Sequence, residues 1–215
     1  MRLLECSPDG GFTRTEDLPG NEDLEYAILS HRWESEEVTF KDLVDGTGDN
    51  KAGYEKLRFC AEQAIRNGLR YFWVDTCCID KSNQVELNEA IISMFRWYRK
   101  AARCYVYLSD VSVAGLAGRG CKRKREQSEL PWEPEFRASK WFTRGWTLQE
   151  LLAPASVEFF AREGQRLGNK ESLEQPIREI TGIATSALQG ADLSEFGVDD
   201  RFEWAKRRET TREED

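Results

Sequence analysis

Apolar positions along this chain fall into four short continuous runs separated by stretches of helical spacing. The runs are residues 26–30 (Tyr-Ala-Ile-Leu-Ser), 71–74 (Tyr-Phe-Trp-Val), 104–108 (Cys-Tyr-Val-Tyr-Leu) and 157–160 (Val-Glu-Phe-Phe). Runs of this length and β-branched or aromatic content predict buried strands. Between the first two, Leu57, Cys60, Ala61, Ala64 and Ile65 recur at the 3- and 4-residue spacing of a helix face, and Asn67-Gly68 supplies its stop. Between the second and third, Leu87, Ala90, Ile91, Met94, Phe95 and Tyr98 form a second such stripe, read as ordinary helix core. Strands that are apolar throughout require cover on both faces. The alternation therefore predicts an α/β fold with a parallel sheet flanked by helices.

The remaining segments are less regular. Residues 1–25 are polar with Gly10-Gly11 and Pro19-Gly20 turns, and a polar, Gly-containing loop is expected to about residue 50. Residues 112–138 carry Gly115, Gly118 and Gly120, the basic run Lys122-Arg123-Lys124-Arg125, then Pro131 and Pro134. They are expected to form an exposed insertion, its basic run a solvated loop or else a nuclear-localisation or anionic-surface patch. A helix is predicted over residues 141–152, starting near Thr143 and bounded by Pro154, with further helices over 170–180 and 201–208. The expected organisation is an α/β core over 1–162 and a C-terminal helical extension of the same domain over 163–215. The chain ends on Arg212-Glu213-Glu214-Asp215 with no stop signal, so a longer protein is expected.

Composition narrows the function. The 215 residues are 40% hydrophobic with 7 Trp, enough for a packed core. A net charge of −8 argues against a general nucleic-acid partner. No apolar run approaches the roughly 18 residues of a membrane span, and Glu5 and Asp9 interrupt any secretory signal. A cytoplasmic protein with mostly reduced cysteines is expected. The six cysteines contain no CxxC and only one histidine accompanies them, so no metal site is expected.

In open α/β sheets, ligands bind outside the carboxyl ends of the strands. That rule selects His31-Arg32-Trp33, residues 75–80, and Ser109-Asp110. Several blocks there resemble a known family. Tyr26-Ala27-Ile28-Leu29-Ser30-His31-Arg32-Trp33, then Phe72-Trp73-Val74-Asp75-Thr76-Cys77-Cys78-Ile79-Asp80, then Arg144-Gly145-Trp146-Thr147-Leu148-Gln149-Glu150-Leu151 resemble, in order, the blocks of fungal heterokaryon-incompatibility (HET) domains. The segment from Trp204 to Asp215 resembles the start of a further block. Where many members carry Asn-Gln, this chain has Asp80-Lys81.

The resemblance implies a TIR-like, flavodoxin-like fold and a role in programmed cell death after non-self recognition. Some TIR domains cleave NAD with a glutamate that follows a Trp by four residues, the spacing of Trp146 and Glu150. It implies Glu150 as catalytic residue, NAD(P) as substrate with no bound cofactor, a homo-oligomer on activation, and other incompatibility proteins as partners. Ser30, His31, Arg32 and Trp33 would shape the pocket from the first strand end, with Asp75 and Cys78 from the second, and Arg144 and Trp146 beside the glutamate. Arg32 would bind the pyrophosphate through its planar fork.

Other readings of the same residues stay open. Thr147-Leu148-Gln149-Glu150 fits a capping box, which would give Glu150 a purely structural role. Arg32 could pair with Asp75 or Asp110. Cys77 or Cys78 with His31 could form a nucleophile pair. The domain could also act as a self-associating adaptor with no chemistry at all. No GxGxxG links a strand to a helix, so a hydride-transferring dinucleotide enzyme is not supported.

Overall fold

A computed structural model describes residues 1–7, 10–16, 24–114 and 130–210. The Pro19-Gly20 turn, the glycines and basic run of the expected insertion, and residues 211–215 lie outside the described residues.

Four parallel strands form the centre of one seven-stranded sheet: β3 (Tyr26–His31), β4 (Tyr71–Trp73), β5 (Arg103–Leu108) and β6 (Val157–Ala161). These are the four apolar runs. The sheet is not wholly parallel, however. A hairpin of β1 (Leu4–Cys6) and β2 (Phe12–Arg14) adds antiparallel to the edge of β4, and β7 (Arg166–Asn169) adds antiparallel to β6. The spatial order is β2-β1-β4-β3-β5-β6-β7, and its parallel centre is flavodoxin-like. Residue 162 falls between β6 and β7, so the sheet runs to Asn169 before the C-terminal helices begin.

The period-2 geometry of β5 assigns the two faces. Tyr105 and Tyr107 point to α2 (Tyr54–Arg66): the Tyr105 hydroxyl bonds the Gln63 carbonyl, and the Tyr107 ring packs on Phe59. Cys104, between them in parity, points the other way and reaches the backbone of α5 (Thr147–Leu152). Burying a side chain such as Phe72 or Leu29 completely contributes about 1.5–3 kcal/mol each.

α2 stops where expected, with Gly68 at φ 72°. The second stripe forms α3 (Gln84–Lys100), whose Asn83 side chain caps Val85 and Glu86 backbone N–H groups. The expected polar loop contains a short helix, α1 (Phe40–Asp45), fixed by a reciprocal Thr39–Asp42 capping box. Between β5 and β6 comes α4 (Glu133–Ala138), within the expected exposed insertion but anchored by the fully buried Phe136; beyond the sheet come α6 (Glu174–Thr181), α7 (Thr185–Leu188) and α8 (Val198–Ala205).

The predicted helix over 141–152 is two pieces. A 3-10 turn covers Lys140–Thr143, and α5 begins only at Thr147. The break has a cause in the C-terminal segment. Glu209 donates its N–H to Thr143 O at 2.6 Å and accepts from Gly145 N at 2.9 Å. Backbone groups that would continue a helix pair with this strap instead.

Candidate functional site

β3 lies between β4 and β5; the chain runs from β3 through α2 to β4 on one side, then from β4 through α3 back past β3 to β5 on the other. The crevice at such a switch point is where open α/β sheets bind ligands. A cavity of about 300 Å³ lies there. His31 and Trp33 enter from the end of β3, Asp75 from the end of β4, Leu87, Ile91 and Met94 from α3, and Arg144, Trp146 and Glu150 from the α5 segment. Three of the six stripe residues therefore line the cavity, Met94 while also buried in the core and Leu87 while packed against it.

Glu150 is 6% exposed and sits in the first turn of α5. It makes no capping box: the residue before the helix, Trp146, makes no side-chain cap bond. Thr147 is occupied elsewhere, its hydroxyl 2.7 and 2.8 Å from the Trp141 and Arg144 carbonyls. Instead the Glu150 carboxylate accepts from the Ser30 hydroxyl. That hydroxyl in turn accepts from the Trp141 indole N–H at 2.9 Å. With its acceptor side engaged by Trp141, Ser30 directs its only proton to Glu150. Burial pushes the Glu150 carboxyl up to about 8; the Ser30 bond opposes that rise and nearby Asp75 adds to it.

The other side of the cavity is a charged network. Asp75 lies 3.1 Å from His31 Nε2 and accepts from the Trp33 indole N–H at 2.7 Å. Burial pushes the Asp75 carboxyl up, but His31, Lys81 and Trp33 outweigh it and hold it below the usual range. The other His31 nitrogen faces Glu37 at 3.8 Å, and Glu37 is bound by the buried Lys56 ammonium. Lys81 lies over the Trp33 ring, 3.5 Å from its centroid, with Arg144 at 5.1 Å. Burial lowers the Lys81 ammonium, with Asp75 opposing.

Of the residues selected from sequence, His31, Trp33, Asp75, Arg144, Trp146 and Glu150 line one cavity, and Ser30 stands directly behind Glu150. Arg32 and Cys78 do not line it. Cys78 Sγ turns back to accept from Val74 N–H, and its side chain lines a separate cavity with Met1, Arg2 and Trp73. Neither carboxylate considered for Arg32 is held by it: Asp75 binds His31 and Trp33, and Asp110 accepts from the Ser139 hydroxyl and the Lys140 N–H. Ser109 bonds Glu34. The cysteine–histidine pair does not form, since Cys77 Sγ bonds the Val74 carbonyl and both His31 nitrogens face carboxylates. Burial raises the Cys77 thiol well above its ordinary value, the opposite of an activated nucleophile. Lys81 was missed. It stands at the departure from the family pattern, while its neighbour Asp80 builds the turn into α3 through Ser82. No group of residues suited to a metal ion occurs among the described residues.

The strap holds the entry of the Glu150 helix. Arg208 Nη1 bonds the Arg144 carbonyl and Thr147 Oγ1 at 3.1 and 2.8 Å. Gly145 has a positional reason here, because a Cβ would fall 2.2 Å from Thr210 Cγ2. Gly145→Val is expected to cost about 1–3 kcal/mol through overpacking and to expose the strap. Limited trypsin digestion at Arg207 and Arg208 checks it: cleavage faster than wild type is expected, and unchanged cleavage refutes the close approach.

Fold and site together define a flavodoxin-like α/β domain with a strand-end cavity built around a neutralised glutamate. A family model described as heterokaryon incompatibility protein (HET) matches residues 26–150. The chain is 56% identical over 217 residues to the vegetative incompatibility protein HET-E-1 of Podospora anserina, a match covering 100% of this chain and 15% of that protein. No solved structure matches the chain. The chain belongs to the heterokaryon incompatibility family. No helix among the described residues is long and apolar enough to cross a membrane.

Proposed function

We propose that this domain is a cytoplasmic cell-death effector of the incompatibility response that hydrolyses NAD(P) at the nicotinamide–ribose bond, in the manner of TIR domains, with Glu150 as the catalytic carboxylate. The observation that carries this reading is the placement of Glu150. It is free of its own helix backbone, held by Ser30, and turned into a cavity walled by Trp146.

The chemistry suits one carboxylate. The bond between ribose C1′ and the pyridinium nitrogen breaks with its electron pair moving to nitrogen, so nicotinamide leaves neutral. It needs no proton, unlike the leaving oxygen of ordinary glycosides. Ionised Glu150 stabilises the positive charge developing on the ribose. Water adds to C1′ and its proton passes to Glu150 or to solvent. The cationic nicotinamide ring also draws Glu150 toward its charged form on binding, because an opposite charge nearby lowers a carboxyl pKa. Lys81 and Arg144, at the Trp33 side, suit the adjoining phosphate. Homo-oligomerisation on activation and contacts with other incompatibility proteins belong to the same proposal.

The test is nicotinamide release from NAD by wild type and by Glu150→Gln. Turnover in wild type that falls by about 100-fold or more in a folded Gln variant is expected. Equal turnover in both would remove Glu150 from catalysis. No turnover in either, with self-association intact, would leave the adaptor reading.

A further inference from the structure

A second, larger concavity adjoins the Glu150 cavity. It is a groove of about 570 Å³ along α3, α5 and α8. Trp146 and Ile91 line both spaces, so one indole and one aliphatic side chain form a shared wall. The Glu150 cavity is at the small end of the range for ligand sites, ~300–1,000 Å³. It matches half a dinucleotide, leaving the other half to be placed.

The groove's chemistry selects what that half is. Phe95, Leu148, Leu152 and Trp204 give an apolar, aromatic floor of the kind that takes a flat base. Arg201 and Arg208 are its charged members, and no carboxylate occurs among its described lining residues. Arg208 directs Nε and Nη1 to the Trp204 and Arg144 carbonyls and to Thr147, while its buried Nη2 has no hydrogen-bond partner. Burial pulls this guanidinium down to about 10, with Glu150 opposing, as expected for a cation short of a nearby anion.

We propose that this groove is the subsite for the adenylate half of the dinucleotide, its base on the Phe95–Trp204 floor and its phosphate toward Arg201 and Arg208. The assignment rests on the dinucleotide reading of the Glu150 cavity. Its consequence is substrate choice: a mononucleotide fills only the smaller cavity and forgoes the groove, so the domain selects dinucleotides through binding energy remote from the bond it breaks.

The experiment titrates Glu150→Gln, whose turnover is expected to be lower by about 100-fold or more, separately with ADP and with nicotinamide mononucleotide. ADP binding weakened about tenfold by an added Arg201→Glu, with the mononucleotide unaffected, is the expected result. Arg201 is exposed on α8, so the substitution leaves the core intact. In the Glu150 enzyme, the same change is expected to raise KM for NAD and leave kcat unchanged. Absence of ADP binding, or ADP binding indifferent to Arg201, overturns the subsite. ADP binding as described without any nicotinamide release would instead retain an adenine-nucleotide groove and refute the Glu150 hydrolase.

Discussion

Glu150→Gln is expected to make the domain more stable at neutral pH while it stops turnover. Glu150 is 6% exposed and its carboxyl is raised by burial from 4.5 to about 8. Below pH 4.5 it is protonated in both folded and unfolded chains and contributes no difference. Between pH 4.5 and 8 the unfolded chain releases the proton and the folded chain retains it, so stability falls by about 1.4 kcal/mol per pH unit. The accumulated cost is on the order of 3 kcal/mol at pH 7. It grows further up to the folded pKa and is constant above it. Glutamine keeps the shape and an oxygen for Ser30 but cannot ionise, so the variant escapes this cost. Urea unfolding at pH 4 and pH 7.5 checks it. Near-equal stabilities at the lower pH and a Gln variant more stable by several kcal/mol at the higher are expected. A wild type equal to or more stable than the variant at pH 7.5 would mean that Glu150 ionises readily in the folded protein.

Ser30→Ala is expected to damage both stability and chemistry. It leaves the Trp141 indole N–H and a Glu150 oxygen without the partners they have now. An unsatisfied buried polar group costs about 1–3 kcal/mol, so a loss of about 2–4 kcal/mol is expected from the pair. The Ser30 bond also lowers the Glu150 carboxyl, so removing it moves the ionisation to higher pH. The rising limb of a pH–rate profile for nicotinamide release should shift to the alkaline side. Trp141→Phe, which removes the donor to Ser30 together with part of a buried ring, should lower stability and give a smaller shift in the same direction. A profile unmoved in Ser30→Ala would separate the serine from the chemistry and leave it a packing role.

The centre of the fold is legible in the sequence because its strands are covered on both faces. Tyr26-Ala27-Ile28-Leu29 and Tyr105-Val106-Tyr107 are fully or nearly fully buried, and continuous burial writes continuous apolar runs. The edges are not legible for the same reason. β1, β2 and β7 are three or four residues each with at most one buried position, too few to show a period. The helix break at Arg144-Gly145 depends on a partner 64 residues later in the chain, visible only once Arg208 and Glu209 are in place. A local pattern over residues 141–152 carries no trace of it except the glycine.

The site divides along similar lines. The strand-end rule finds His31 and Asp75 because both directly follow or close a legible strand. It overreaches at Arg32 and Cys78. Cys78 is turned away by the Val74–Cys78 turn, whose N–H to O bond of 2.9 Å folds the chain back under β4. Trp146 and Glu150 were paired by resemblance as two residues on one helical face. They share a cavity, although Trp146 precedes the helix that carries Glu150. The Ser30–Trp141 link is beyond local reading altogether, since its partners lie 111 residues apart. Lys81 marks a departure from the family pattern, and the departure places a cation over Trp33.

In the proposed reaction Glu150, held neutral by burial until it is needed, breaks the nicotinamide bond when ionised. The most direct measurement is the pH dependence of nicotinamide release from NAD, as kcat/KM, for wild type and Glu150→Gln. The wild-type rate is expected to climb about tenfold per pH unit below neutrality and level near the Glu150 pKa of about 8, with the Gln variant lower throughout and flat. A wild-type profile that is itself flat across that range, or one that Glu150→Gln reproduces, would contradict it.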